Sequence, residues 1–235
     1  SNWSNVKRNP PRIQFSIKWS AWYDATPHDE EWKKHTGLLP VRKWQRPLVL
    51  ASGSPRRAEL LAAAGFDATL FLPTIDDGVY TCGSMAVHDW VTTLAALKAR
   101  HVLEVSGIDV GTVFGADTVC VVDDIVLGQP AGAREARDMV ASMVGRSHSV
   151  YTGWYLIAAN DEQACFGCEV VTVTVGHIDG DEIDRYISTE LWRGKAGAYN
   201  LSERVDAGWS ITCDGDPTSV MGLPMERLKQ ELAWG

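Results

Sequence analysis

An α/β fold built on a mixed sheet is predicted by three features of the chain. Short apolar runs of strand type (residues 48–51, 68–72 and 113–122) alternate with stretches of helical periodicity (55–64, 87–104 and 134–144). The first run passes through a serine-rich turn directly into a helix start, which is the order of an α/β unit. Asp123-Asp124 then turns the strongest strand back onto Ile125-Val126-Leu127, an antiparallel hairpin that a purely parallel sheet would not contain.

Taken in order, residues 1–46 carry nine Lys and Arg against four Asp and Glu, and five of the ten tryptophans (Trp3, Trp19, Trp22, Trp32, Trp44). The alternating stretch 12–19 reads as a strand. So many large aromatics need a surface to cover, so this segment reads as an extension packed on the main body or on a second subunit. Basic residues interleaved with aromatics can also stack nucleic-acid bases, but that is the weaker reading here.

Leu48-Val49-Leu50-Ala51 is a buried-strand run that breaks into Ser52-Gly53-Ser54 ahead of Pro55. Ser54 suits an N-cap, Pro55 suits the first helical position because it needs no donor, and Gly65 is a stop signal. The N–H groups and positive dipole end of such a helix attract phosphate. Arg56 and Arg57 stand in the first turn against that dipole, which an anion would justify, and a guanidinium fork matches phosphate oxygens. The two arginines could instead be solvated or paired with nearby carboxylates, but the coincidence of strand, serines and arginines favours the phosphate reading and makes Ser52, Ser54, Arg56 and Arg57 candidate phosphate ligands.

After the strand at 68–72, Asp76-Asp77 precedes Gly78. Paired carboxylates there fit a hard cation, although turn chemistry alone also selects Asp. Val87, Trp90, Val91, Leu94 and Leu97 are spaced as one helix face, with Lys98 near the end of that helix. Asp117 lies in the middle of the apolar run 113–122, where a carboxylate is costly to bury unless it binds something. Ala136, Met139, Val140 and Met143 form the stripe of a helix at 134–144 closed by Gly145. Segments 148–158 and 169–178, separated by Asn160-Asp161-Glu162, read as neighbouring strands, with His148 and His177 as structural histidines within them. A short helix at 181–187 leads to Gly194-Lys195-Ala196-Gly197, where glycines let the backbone approach a ligand. Met225, Leu228 and Leu232 mark the inner face of a last helix.

Ala51-Ser52-Gly53-Ser54-Pro55-Arg56-Arg57-Ala58-Glu59-Leu60-Leu61 resembles the opening signature of the Maf family of nucleoside triphosphate pyrophosphatases. Further matches follow in the family's order at Gly115-Ala116-Asp117-Thr118-Val119, Gly128-Gln129-Pro130, His148-Ser149-Val150-Tyr151-Thr152-Gly153, Lys195-Ala196-Gly197-Ala198-Tyr199 and Val220-Met221-Gly222-Leu223-Pro224, covering roughly residues 47–233. The resemblance implies an elongated, two-lobed Maf/ITPase-like fold with a central cleft. It implies hydrolysis of a nucleoside triphosphate between the α and β phosphates, with a divalent cation, Mg²⁺ or Mn²⁺, as cofactor. Carried over by position, Asp117 is the catalytic carboxylate and, with Asp77, a metal ligand. Ser52, Ser54, Arg56, Arg57, Lys98, Gln129 and Lys195 face the phosphates, and Thr118 stands at a position linked to base preference. Family members often form homodimers.

The chain departs from the family pattern at four places. Asp77 stands where the pattern ends in Asp-Glu, Gln129 where it has Lys before the proline, and Gly194 where it has Asp before the lysine; Ser202 or Glu203 replaces a Gln. These changes keep a second reading open, a nucleotide-binding or regulatory protein on the same fold, and they leave the preferred base undetermined.

Composition sets the outer bounds. The 235 residues are 45% apolar and 22% charged, ordinary for a globular protein. No apolar run approaches the ~20 residues of a membrane span, and the start lacks the apolar core of a signal peptide, so a cytoplasmic protein is expected. Five cysteines, an odd number in a large chain, argue for reduced thiols over a disulfide framework, and the lone pair Cys165/Cys168 reads as two thiols near a strand. The net charge of −8 rises to −13 for residues 47–235, so general nucleic-acid binding is disfavoured and any polyanion must sit in a local basic pocket.

Overall fold

The computed structural model describes residues 44–75, 80–160 and 163–232. In chain order these form β1 (Leu48–Ala51), α1 (Pro55–Ala63), β2 (Ala68–Phe71), α2 (Val87–Ser106), β3 (Thr112–Val122), β4 (Ile125–Leu127) and α3 (Ala133–Met143). There follow β5 (Ser147–Ala158), β6 (Ala164–Val175), α4 (Gly180–Ser188), a 3-10 turn (Ala196–Ala198), α5 (Leu201–Asp206), β7 (Ile211–Asp214), α6 (Pro217–Val220) and α7 (Met225–Glu231). The strand candidate at 12–19 and the Asp76-Asp77 turn lie outside the described residues. No helix among the described residues is long and apolar enough to cross a membrane.

The expected mixed sheet is present, in the order β2-β1-β3-β5-β6-β7 with β4 added to β3. β1 runs parallel to β2 and β3, and every other pairing is antiparallel. The β3–β4 hairpin turns on Asp123 and Asp124, both at positive φ (48° and 65°), a conformation that a short polar side chain tolerates. β6 begins at Ala164, five residues before the sequence pattern suggested, because Ala164 to Cys168 pair with β5 despite their weak alternation.

β3 is the spine of the molecule. Its first four residues pair with β1 and its last three with β4, on the same edge, while Thr112 to Val121 pair with β5 on the other. Among the described residues, Ala116 to Val119 therefore face a gap between β1 and β4. Phe114 and Ala116 point to a core shared with Leu61 of α1 and with Leu228 of α7, and Val113 points to a core shared with α2.

The buried face of α2 is Val91, Leu94, Ala95, Ala99 and Val102, rotated from the expected Val87, Trp90 and Leu97. Glycines in the sheet explain the rotation. A Cβ on Gly115 would lie 2.2 Å from the Ala95 carbonyl oxygen, and one on Gly153 would lie 2.3 Å from the Val91 carbonyl carbon. The helix backbone thus seats directly on the strands, over small residues, and its larger apolar side chains flank the contact.

α1 ends as its sequence predicts. Gly65 takes φ 81°, its N–H donates to Ala62 O, and the Phe66 N–H donates to Leu61 O, the two bonds of a Schellman stop. Trp44 is buried in the same core as Leu48 and Leu50.

Candidate active site

β1 ends at Ala51, opposite Gly115, and the chain leaves the sheet through Ser52-Gly53-Ser54 into α1. The gap on β3 begins one residue further on, so the start of α1 looks across it at Asp117 and Thr118. This is the carboxyl end of a parallel strand beside a break in the sheet, the usual place for a ligand in an open α/β fold. Ser54 is the N-cap by position, but its hydroxyl makes no capping bond. Instead the Ser54 N–H donates to Ser52 Oγ at 3.1 Å.

Ser52 is buried and stands behind Arg57. The Arg57 guanidinium donates to Gly222 O (2.9 Å), Ser52 Oγ (3.2 Å) and Thr118 Oγ1 (3.3 Å). These contacts join α1, the β1 turn, β3 and the loop before α7 through one side chain. Gly222 is required there: it has φ 107°, and a Cβ would come within 3.2 Å of Arg57 Nε. Thr118 Oγ1 also shares a hydrogen bond with Thr152 Oγ1 at 3.0 Å, and Thr152 Oγ1 donates to Ser219 O at 2.8 Å.

Arg56 turns the other way. It donates to Glu203 Oε1 at 2.5 Å and to Ser202 Oγ at 3.4 Å, while Lys195 Nζ donates to Glu203 Oε2. Burial pulls the Lys195 ammonium below its ordinary pKa, against the opposing pull of Glu203. Burial pushes the Glu203 carboxyl up, but the hydrogen bonds and charges of Lys195 and Arg56 outweigh it and leave the group below the usual range.

On the opposite face of β3, Lys98 Nζ of α2 donates to Asp117 Oδ1 at 2.5 Å. The binding partner that the sequence required for a buried Asp117 is thus a lysine nineteen residues earlier, supplied by α2. Lys98 was expected at the phosphates; it bonds this carboxylate and also lines the same cavity.

A cavity of about 170 Å³ is lined by Ser54, Arg56, Arg57, Lys98, Asp117, Thr118, Gln129 and Lys195, together with Cys120, Tyr199 and Asn200. Because the sheet edge is open here, side chains from both faces of β3 reach one space. Of the sequence-predicted site residues, Ser52 stands behind the wall, and Asp77 lies outside the described residues. The Cys120 thiol is buried and pushed up to about 12, which suppresses a thiolate nucleophile. His148 is a core group, as expected: its Nε2 pairs with Tyr199 Oη at 2.8 Å and burial lowers it to about 4. His177 is not in a strand but just beyond β6, exposed and 3.0 Å from Asp179. Cys165 and Cys168 both lie in β6 as free thiols.

The family model described as Maf-like protein matches residues 47–234, the whole sheet and every residue of this cavity. The chain belongs to the Maf-like protein family. Among its curated Maf-like relatives is a dTTP/UTP pyrophosphatase from Bacillus cereus, 36% identical over 83% of this chain and 94% of that protein. Another is a dTTP/UTP pyrophosphatase from Moorella thermoacetica, 40% identical over 79% of this chain and 93% of its own length. A solved structure of a nucleoside-triphosphatase (dITP/XTP pyrophosphatase) from Mycobacterium abscessus aligns with a TM-score of 0.39 and 14% identity, over 56% of this chain and 75% of that one, too distant to inform the site.

Within the Maf-like frame, Glu203 is the site residue that sequence reasoning missed. Its signal was present as a departure at the end of the tyrosine motif, but a single substitution does not say which cations it meets. The departures at Gly194 and Glu203 are spatially linked, since Lys195, left without the acid that precedes it in the family pattern, is bonded to Glu203.

Proposed function

We propose that this protein hydrolyses nucleoside triphosphates between the α and β phosphates, releasing a nucleoside monophosphate and pyrophosphate. The observation that supports this most directly is the gathering of Arg56, Arg57, Lys98 and Lys195 around Asp117 in one cavity. Four cations in so small a space suit a polyphosphate, and fixed donors aimed at growing negative charge are the main resource for this chemistry. In this reading residues 47–235 are the pyrophosphatase domain and residues 1–46 an extension.

Asp117 accepts the proton of the water that attacks the α-phosphorus. The bond from that phosphorus to the bridging oxygen breaks, and pyrophosphate leaves with the electron pair toward Arg56, Arg57 and Lys195. The bond from Lys98 fixes the Asp117 carboxylate so that it meets the water in one orientation. Ser52 and Gly222 do the same for Arg57.

Among the described residues no cluster of three or more His, Cys, Asp or Glu is placed to hold a metal ion. Asp117 alone nevertheless fits a Mg²⁺ or Mn²⁺ that arrives on the nucleotide, since Mg²⁺ needs only one or two carboxylates beside phosphate oxygens and water. Asp77 is the second carboxylate of the proposal. The cation, when bound, adds charge opposite the phosphates and lowers the pKa of water.

Because relatives of this chain are named dTTP/UTP pyrophosphatases, dTTP and UTP are the first substrates of this proposal, and the departing stretch Asn200-Leu201-Ser202-Glu203 is where a different base preference would arise. The test is pyrophosphate release from a panel of nucleoside triphosphates, modified bases included, with Mg²⁺, with Mn²⁺ and with a chelator. Metal-dependent release, with dTTP and UTP ahead, is expected. No release across the panel, in a protein whose melting temperature still rises with nucleotide, overturns the reading in favour of a binding protein.

A further inference from the structure

We propose that Glu203 is a positioning residue, whose carboxylate spans Arg56 and Lys195 and holds both cations at the spacing that the substrate's polyphosphate requires. The inference rests on the pyrophosphatase reading above and deepens it.

The two carboxylate oxygens are divided between the cations, Oε1 to Arg56 and Oε2 to Lys195. Both cations line the cavity, and they come from segments far apart in the chain: the first turn of α1 and the loop before the 3-10 turn. Nothing in local structure fixes their separation. Two long cationic side chains sharing one cavity repel each other and would swing apart toward water without an anion between them.

Glu203 itself is held from behind. It stands in the first turn of α5, and its N–H donates to Asn200 Oδ1 at 3.1 Å, the N-cap bond of that helix. Ser202 Oγ donates to the same Asn200 oxygen at 2.9 Å and accepts from Arg56 Nη1. The capping group therefore fixes both the carboxylate and a second acceptor for Arg56. Placing an acid in the first turn is also favourable against the helix dipole.

The charged groups facing Lys195 are Glu203 and Arg204 of α5 and Arg56 of α1. Burial and the two arginines favour a neutral lysine; Glu203 opposes them. Removing the carboxylate thus both loosens the ammonium and makes it easier to deprotonate. The family pattern supplies an acid immediately before this lysine, and in this chain, with Gly194 there, the acid comes from the following helix. Two departures that look independent in sequence act as one exchange in space.

The test uses the full chain and inorganic pyrophosphate as probe, with binding measured by calorimetry between pH 7 and pH 10, beside the pH profile of kcat/KM for the best nucleotide of the panel. Glu203→Gln keeps the shape and the backbone cap. It is expected to bind pyrophosphate about tenfold more weakly, to raise KM more than it lowers kcat, and to lose affinity at a lower pH than the wild type. In a Lys195→Met background the Glu203→Gln change should no longer move the alkaline limb. Glu203→Asp serves if the glutamine variant fails to fold, and should show the same changes in smaller degree. Wild-type affinity with an unmoved alkaline limb overturns the proposal, and tighter binding overturns it too, by making the carboxylate a competitor of phosphate. Because pyrophosphate binding needs no turnover, an inactive wild type would sink the pyrophosphatase reading and leave the role of Glu203 still measured.

Discussion

Lys98 Nζ and Asp117 Oδ1 lie 2.5 Å apart, with each side chain only 13% exposed, and the pair joins α2 to the stretch of β3 that, among the described residues, has no strand on its β1 edge. A carboxylate in an apolar strand is tolerable here because a cation meets it from the helix above, and the same contact holds it where the cavity opens. A lysine and an aspartate so placed serve the fold and the candidate chemistry together.

Asp117→Asn tests the chemical half of that statement. The amide keeps the shape but cannot take a proton, so pyrophosphate release should fall about 10²–10⁴-fold, the usual contribution of a general base. Steady-state kinetics beside thermal shifts with nucleotide check this, since the shift should persist. Wild-type turnover in the variant would remove Asp117 from the reaction.

Gly153→Ala tests the seating of α2. Gly153 is the β5 partner of Asp117, and its added Cβ would lie 2.3–2.5 Å from backbone atoms of Val91 and Thr92, which cannot give way as a side-chain tip can. A loss of about 2–3 kcal/mol in urea unfolding is expected, with reduced activity as Lys98 shifts. Gly65→Ala is the control. Its Cβ would meet nothing within 4 Å, so only its positive φ is strained, costing about 1 kcal/mol. Equal losses at the two positions would show that α2 does not sit so close.

His148 predicts a pH dependence of stability. Burial lowers its folded pKa from 6.5 to about 4, so the unfolded chain binds the proton more readily across that window. The contribution to stability is complete above about pH 6.5, falls as pH drops toward 4, and then levels off, a loss on the order of 3 kcal/mol. Urea unfolding at half-unit steps from pH 4 to pH 7.5 should show that slope in the wild type and a shallower one in His148→Gln, whose amide can still reach Tyr199. An unchanged slope would assign the acid sensitivity to other groups.

Much of the fold was legible because its signals are local. The Ser54-Pro55 helix start, the Schellman stop at Gly65, the Asp123-Asp124 hairpin and the α3 stripe of Ala136, Met139, Val140 and Met143 each depend on a few consecutive residues, and each occurs as read. The orientation of α2 was not legible, because the face it buries is chosen by Gly115 and Gly153 on strands that come later in the chain. The site residues were nameable from motif resemblance, yet their partners were not. Ser52, expected to contact phosphate, bonds Arg57, and Lys98 bonds Asp117.

By itself, then, the sequence determined the mixed α/β class, the strand–turn–helix that starts the cavity, and the set of charged residues that chemistry would need. The class and the turn follow from backbone preference and apolar periodicity, readable within a dozen positions, while the charged set follows from the motif resemblance. The tertiary structure alone decided that β1 and β4 leave a gap on one edge of β3, that side chains from both faces of the strand enter it, and that Glu203 joins Arg56 to Lys195. The reason is range: Arg56 and Glu203 are 147 residues apart in the chain, and a charge at one position carries no record of its partner until sheet order and helix packing bring the two within a hydrogen bond.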